Sequence, residues 1–249
     1  RNLTAKLPDS FNDLKSAAFG TIGSIALNSI RRLKPQIGEN VIIYGAGLIG
    51  LMTLLILKLT GVKTICFDLN QERLEKAKEL GADFIFITGD EKAKKQIEYL
   101  TSGHGVDSIV IAAASQDSQI INSALDFLKS NGKIVLLGKT PININYDLAF
   151  KKNINFLISQ SYGPGRYDVK YEEQGIDYPF EYVRWTENRN LETILDLISK
   201  DKLDVKKLIS QEISLEQAPN VYEALKERKD KNLGILISYQ PEKFMKKVK

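Results

Sequence analysis

From about residue 40 onward, short runs of β-branched and aliphatic residues alternate with stretches of helical periodicity. The runs Val41–Tyr44, Thr64–Phe67, Phe84–Ile87, Ser108–Ile111, Lys133–Leu137 and Ile154–Ile158 are predicted as strands. Most are continuously apolar, as strands covered on both faces by helices must be. Helices are predicted between them near 48–60, 70–80, 91–101 and 116–129. In the second of these, Asn70 stands where an N-cap belongs, Leu74 and Ala77 share a face, and Gly81 follows the last turn. Strand–helix alternation of this kind predicts an α/β fold, a doubly wound parallel (Rossmann) sheet with right-handed crossovers.

Two flanks depart from the repeat. An early helix, roughly Asp13 to Arg32, precedes the first strand and is rich in small residues: Ala17, Ala18, Gly20, Gly23, Ser24 and Ala26. After the sixth strand comes SQSYGPGRYDVKYEEQGIDYPFEYVRWTENRN, with five tyrosines and the chain's only tryptophan. Structureless stretches of about thirty residues are uncommon in compact domains and usually form a functional site or an interface. Helices are predicted near 188–200 and 215–228, then a last strand at Leu233–Tyr239. This gives three parts: a connecting helix at 1–35, a sheet domain with its long loop at 36–185, and carboxyl-terminal helices, strand and tail at 186–249.

Composition narrows the class. With 43% hydrophobic and 27% charged residues in 249, the chain reads as a globular protein. Its formal charge is only +4, and Lys243, Lys246, Lys247 and Lys249 are read as a solvated tail. A nucleic-acid surface would interleave basic residues with aromatics on a folded face, so no nucleic-acid partner is expected. The single cysteine, Cys66, excludes an internal disulfide and fits a reducing, cytoplasmic compartment. The most apolar run, Leu48 to Leu59, carries Lys58 and is too short for a bilayer core of about 30 Å, so no membrane span is expected. The chain opens on Arg1 with no targeting pattern and is read as a piece of a longer protein.

The chemistry-bearing signal is NVIIYGAGLIGLMTLLILKLTGVKTICFDLN, residues 40–70. A bare G-x-G-x-x-G is weak, but here a strand precedes it and a helix follows. Gly45 is placed to take the tight turn, Gly47 to let the main chain approach a pyrophosphate, and Gly50 to let the helix pack against the sheet. The amides of Leu48 and Ile49 open that helix at its positive end. Asp68, at the carboxyl end of the second strand, is placed to accept from both ribose hydroxyls and to repel a 2′-phosphate, which favours NAD(H). Arg73, one turn on, is either an adenine stack or an ordinary surface arginine. FAD folds usually carry the motif near their amino terminus, whereas a helical segment precedes it here. Methyltransferases usually place an acidic residue just before the glycines, where this chain has Tyr44. The motif is therefore read as a nicotinamide dinucleotide site.

The succession KLPDSFNDLKSAAFGTIGSIAL, VIIYGAGLIG, FDLNQERLEKAKELGAD, GHGVDSIVIAAAS and NGKIVLLG resembles the medium-chain dehydrogenases/reductases, the zinc-type alcohol dehydrogenase superfamily, over nearly the whole chain. The stretch SYGPGRYD…DYPFEYVRWTENRN resembles a narrower bacterial branch. In that branch this unit is followed by a second, covalently linked oxidoreductase module of the glucose–fructose oxidoreductase type. The resemblance implies that Thr21 touches the nicotinamide ring, that Ala112 and Ala113 line the cofactor groove, and that Leu137 and Gly138 pass under the nicotinamide. It places Ser161 and Tyr162 where the sixth strand ends, beside the nicotinamide and the edge through which such proteins form homodimers.

The departures matter as much. The resemblance implies that the flanking segments are left from a GroES-like catalytic domain, with 1–35 the connecting helix from a missing or truncated amino-terminal domain. Where the family places a zinc ligand at the start of the early helix, this chain has Ala17-Ala18-Phe19, which cannot coordinate a metal. Zinc needs about four nitrogen, sulfur or carboxylate ligands, and one cysteine with one histidine falls short, so the chain is expected to be metal-free. His104, in a Gly-flanked turn at the amino-terminal end of the sheet, is read as a solvent-facing residue, and Cys66 as an inert core residue. A group is still needed to take the hydroxyl proton of an alcohol, and Tyr162, Arg166 and Tyr167 follow the sixth strand at the end where it is wanted. The same three residues also suit a packed loop. The expectation is an NAD(H)-binding oxidoreductase domain acting on a small alcohol or carbonyl, sugar-related by resemblance. Its alternative is a non-catalytic NAD-binding or assembly module of a larger protein.

Overall fold

A computed structural model describes residues 2–226 and 232–239. Helices α1 (Leu14–Ala17) and α2 (Gly20–Leu33) lead into the alternation predicted above. It runs β1 (Asn40–Tyr44), α3 (Leu48–Lys58), β2 (Lys63–Asp68), α4 (Gln71–Glu79), β3 (Phe84–Ile87), α5 (Glu91–Leu100), β4 (Val106–Ile111), α6 (Gln119–Phe127), β5 (Leu128–Leu136), α7 (Tyr146–Lys152) and β6 (Asn155–Ile158). The short α8 (Val169–Glu172) and the longer α9 (Glu187–Ser199) follow. The six strands form one parallel sheet in the order β3-β2-β1-β4-β5-β6. The chain winds outward from β1 to β3, returns beside β1 as β4, and winds out the other way. The reversal leaves a crevice outside the carboxyl ends of β1 and β4, where ligands of open α/β sheets bind.

Alternation along the strands supplies both faces of the core. Ile42, Tyr44, Ile65, Phe67, Ile109, Ile111 and Ile134 pack with Ala93 and Ile97 of α5 and Ile121, Ala124 and Leu125 of α6. Tyr44 stacks on Phe67 with ring centroids 5.0 Å apart. Cys66 is buried, and burial pushes its thiol up to about 12, so it is a small core residue without reactivity.

The early helix is two helices. The chain tightens into i→i+3 bonds at Ala18 and Phe19, which end α1 and restart the chain as α2. The small residues of α2 have a packing role against α9: a Cβ on Gly20 would lie 2.7 Å from Leu191 Cδ1, and one on Gly23 2.6 Å from Ile194 Cγ2. Asn70 caps α4 by accepting from the amides of Glu72 and Arg73, as its position predicts. Helices α7 and α8 and strand β7 went unpredicted, α8 being a four-residue turn inside the long loop. Helix α7 is only seven residues long and has no buried positions to set a period. Strand β7 (Ile209–Ser214) carries Ser210, Gln211 and Glu212 in mid-run, which breaks the apolar pattern.

The described residues fall into two compact units, the first ending at Asp204 and the second beginning at Val205. In the second, β7 pairs in parallel with β8 (Gly234–Ser238), and a 3-10 turn at Leu215–Gln217 leads into α10 (Ala218–Lys226). The last two residues of the predicted helix 215–228, the basic cluster at 243–249 and the chain after Tyr239 lie outside the described residues.

Candidate active site

The turn from β1 into α3 is built almost wholly of main chain. Gly45 has φ +97°, a left-handed conformation in which a Cβ would also sit 2.8 Å from the Ala113 nitrogen. At Gly50 a Cβ would fall 1.8 Å from the Gly45 carbonyl oxygen, so only glycine lets α3 descend so close to its own turn. Gly47 is the N-cap of α3, and a Cβ there would meet nothing within 4 Å. The space beside it is open, and no side chain caps the helix. The first amides, at Leu48, Ile49 and Gly50, have no partner within the helix and carry the positive end of its dipole.

Asp68 closes the other side. Its Oδ2 accepts from the Ala46 amide at 2.7 Å and its Oδ1 from the Asn70 amide at 2.8 Å. Each carboxylate oxygen has two lone pairs, so both can accept once more. Arg73 is half-buried one turn into α4. The geometry therefore offers a close-approach main chain, free amides and a fixed negative charge across one groove.

The remaining predicted groove residues lie where neighbouring strands end. The amides of Ala112 and Ala113 both donate to the Tyr44 carbonyl, at 2.8 and 3.0 Å, and those of Leu137 and Gly138 to the Ile111 carbonyl at 2.9 Å each. A Cβ on Gly138 would be 1.9 Å from the Ala113 carbonyl oxygen, which holds these two strand exits together. Ala112, Ala113, Leu137 and Gly138 are each half-buried.

Beyond β6 the long loop is pinned by two asparagines that sequence reasoning did not single out. Asn28 of α2 donates to Ser159 Oγ and to the carbonyls of Gln160 and Ser161, at 3.0–3.2 Å. Asn190 of α9 donates to the Tyr162 carbonyl at 2.8 Å and accepts from Arg31 Nε at 2.7 Å. These bonds place Tyr162, together with Thr21 and Ser24 of α2, on a cavity of about 130 Å³ between α2, the start of α9 and the amino-terminal segment. Ser161, with φ +43°, precedes it in the turn.

Arg166 and Tyr167 do not line that cavity. The Arg166 guanidinium pairs with Glu172 and lies 4.2 Å above the Tyr167 ring, while Tyr167 itself is mostly exposed. Asp168, two residues on, caps α8 and accepts from the Tyr178 hydroxyl. The cavity contains a residue the sequence did not mark: Glu187, the first residue of α9, whose side chain is buried. Burial first, and then the neighbouring charge of Glu172, pushes its carboxyl up to about 7 against the opposing pull of Arg166. No spacing rule could have found it, because its environment is assembled from residues 2, 21, 162 and 187.

His104 lines an open cleft of about 670 Å³ with Asn40, Asp107 and Lys129, at the amino-terminal ends of β1, β4 and β5. Among the described residues, no three His, Cys, Asp or Glu side chains gather closely enough to hold a metal ion, and no helix is long and apolar enough to cross a membrane.

Residues 49–177, more than half of the chain, match the zinc-binding dehydrogenase family. An uncharacterized zinc-type alcohol dehydrogenase-like protein of Haemophilus influenzae is 26% identical over 238 residues, covering 94% of this chain and 61% of the relative. Sorbitol dehydrogenase of Rattus norvegicus is 26% identical over 238 residues, covering 95% and 59%. The chain thus spans about 60% of the length of the curated relatives it matches. An E. coli CFT073 alcohol dehydrogenase (rspB), solved with NADH, superposes with a TM-score of 0.75 at 23% identity, covering 94% of this chain and 62% of that one. At that identity the likeness speaks for the fold.

Proposed function

Because the chain belongs to the zinc-binding dehydrogenase family, we propose that it is the NAD(H)-binding part of an alcohol or carbonyl oxidoreductase whose substrates are polyols or related sugars. The observation that carries this reading is the open space at Gly47, set between the free amides of α3 and the Asp68 carboxylate. The residues fit the dinucleotide in kind. Gly45 and Gly50 bring the main chain close, Leu48 and Ile49 offer amides to a diphosphate, and Asp68 keeps lone pairs for ribose hydroxyls. Ala112, Ala113, Leu137 and Gly138 would floor the groove toward Ser161 and Thr21, with Arg73 at the adenine end.

When bound, the dinucleotide supplies the hydride exchange, and the protein contributes orientation and pocket electrostatics. Tyr162 is assigned to the substrate cavity. Burial raises its phenol, so at neutral pH it is an uncharged hydrogen-bond donor. Arg166 and Tyr167, stacked together, brace the loop beside it. The polyol assignment is supported by the sorbitol dehydrogenase of the rat, and the NADH complex of the E. coli neighbour supports the cofactor. The described residues offer no zinc ligand set, so no step is assigned to a metal.

Calorimetric titration of the intact protein tests the reading. NADH is expected to bind at least tenfold tighter than NADPH; no binding of either, or preference for NADPH, would refute it. A second reading, a non-catalytic NAD-binding or assembly module of a larger protein, is favoured by Ala17-Ala18-Phe19 standing where the family places a zinc ligand. NADH binding without turnover of any polyol or ketose by the intact protein would decide for it. The reading also includes pairing of two copies through β6, the sheet edge, where Ile158 is 55% exposed; sedimentation giving a monomer would remove that part.

A further inference from the structure

Trp185, near the end of the long loop, stands between two guanidinium groups. Arg31 of α2 has its guanidinium carbon 3.3 Å from the indole ring centre, and Arg184 has its own at 3.7 Å. Each distance is one layer of stacking, so the two groups lie on opposite faces of the ring. They are at most about 7 Å apart, the sum of the two distances. The stack continues outward. Arg184 lies 4.4 Å from the Phe180 ring centre, and Arg189 lies 5.2 Å from the same ring.

The three arginines differ in how their charge is met. Arg189 pairs with Asp177 and donates to the Val183 carbonyl at 2.9 Å. Arg31 meets only neutral acceptors, Asn190 Oδ1 at 2.7 Å through Nε and Thr193 Oγ1 at 3.4 Å through Nη2. Arg184 is exposed, and among the described residues it has neither a hydrogen-bond acceptor nor a carboxylate partner. Burial first, and then the like charge of Arg184, lowers the pKa of Arg31 to about 10. Two cations are thus fixed across one indole with no carboxylate paired to either.

A stacked guanidinium covers the ring with its face and keeps its N–H groups in its own plane, directed past the ring's rim. The Nη1 donors of Arg31 and all five of Arg184 are unused, and the indole N–H of Trp185 has no acceptor among the described residues. An oxyanion at the rim that accepts at about 2.8 Å from each layer spans the two forks. Both faces of Trp185 are covered, which leaves no platform on which a base could stack. The frame is held in advance. Asn190, which fixes Arg31, also donates to the Tyr162 carbonyl, and Arg189 fixes Val183 just ahead of Arg184. Donors placed before binding spare the cost of ordering them.

We propose that Arg31, Trp185 and Arg184 form a binding site for phosphate, free or as the monoester end of a sugar phosphate, apart from the dinucleotide groove and the Tyr162 cavity. Arg31 follows Thr21 by ten residues within α2, about 15 Å along the helix axis. A phosphate monoester carries close to two negative charges at neutral pH, which matches the two unpaired cations, and arginine forks take its oxygens in pairs. No part of this site depends on the dinucleotide reading.

The 249 residues hold one tryptophan, so indole fluorescence reports on the site itself. The intact protein is titrated with sodium phosphate at constant ionic strength, and Trp185→Phe, which keeps a ring between the arginines, assigns the signal. A saturable change is expected, with half-saturation at or below about 1 mM, and sodium chloride at the same ionic strength should give none. Arg184→Gln should weaken phosphate about tenfold. Arg184→Lys, which keeps the charge and loses the fork, should weaken it about threefold. Arg184 is exposed, so both variants should fold, and both should keep NADH affinity within about twofold. Glucose 6-phosphate binding tighter than inorganic phosphate would identify the sugar ester as the ligand; equal or weaker binding would identify the free ion. No saturable response to either, a response matched by chloride, or unchanged affinity in Arg184→Gln would overturn the site. So would a tenfold fall in NADH affinity in that variant, since Arg184 would then belong to the cofactor groove.

Discussion

The glycine turn and the Glu187 cavity lie at the same end of one sheet and are built in opposite ways. At the turn, selectivity comes from missing atoms: Gly45 and Gly50 let backbone lie against backbone, Gly47 leaves open space, and the one charged group, Asp68, accepts from two amides. At the cavity it comes from side chains, and the charged group there has no donor at all. The first arrangement is stable before any ligand arrives. The second holds a group in a costly state, and that cost falls when a proton neutralises it.

That contrast can be broken by substitution. The largest effect is expected at Gly50. Glycine→alanine there drives a Cβ to 1.8 Å from the Gly45 carbonyl oxygen, and Gly50→Ala should destabilise the domain by about 3 kcal/mol or more in urea denaturation. A smaller shift would mean that the turn is softer than a satisfied frame allows.

At the cavity the sign should reverse. The folded protein holds the Glu187 proton up to about pH 7, from an ordinary glutamate value of 4.5. Stability from this group is therefore full below the ordinary value and is lost as pH rises through about 7. Glu187→Gln removes that loss. The variant should match the wild type near pH 4.5 and exceed it by about 1–2 kcal/mol at pH 8, in denaturation compared at the two pH values. Equal curves at both would mean that the carboxylate finds a partner when it ionises.

Gly47 sharpens the difference from the other side. Its φ of −76° is open to any residue and its Cβ position is empty. Gly47→Ala should leave stability within about 0.5 kcal/mol, yet weaken NADH binding about tenfold, some 1.4 kcal/mol by calorimetry. Unchanged affinity would place the diphosphate elsewhere.

Much of this was legible in the chain. All six strands of the large sheet overlap their predicted places, and the glycine spacing picked out the turn between β1 and α3 that Asp68 closes. The misses share a cause. Helix α7 and strand β7 lack an apolar period, and the break at Ala18–Phe19 is a local tightening that composition does not show. Of the loop residues, Tyr162 was drawn from its position after the sixth strand and from the resemblance. Asn28, Asn190 and Glu187 were invisible, because each gains its meaning from a partner more than twenty residues away.

By itself the sequence determined the winding of the sheet and the shape of its first crossover, since periodicity and the steric needs of glycine act over a few neighbouring residues. Only the tertiary structure decided which carboxylate is left poised. Whether a buried charge finds a donor depends on segments brought together from across the chain, and here residues 2, 21 and 162 gather beside Glu187 without a donor reaching its oxygens.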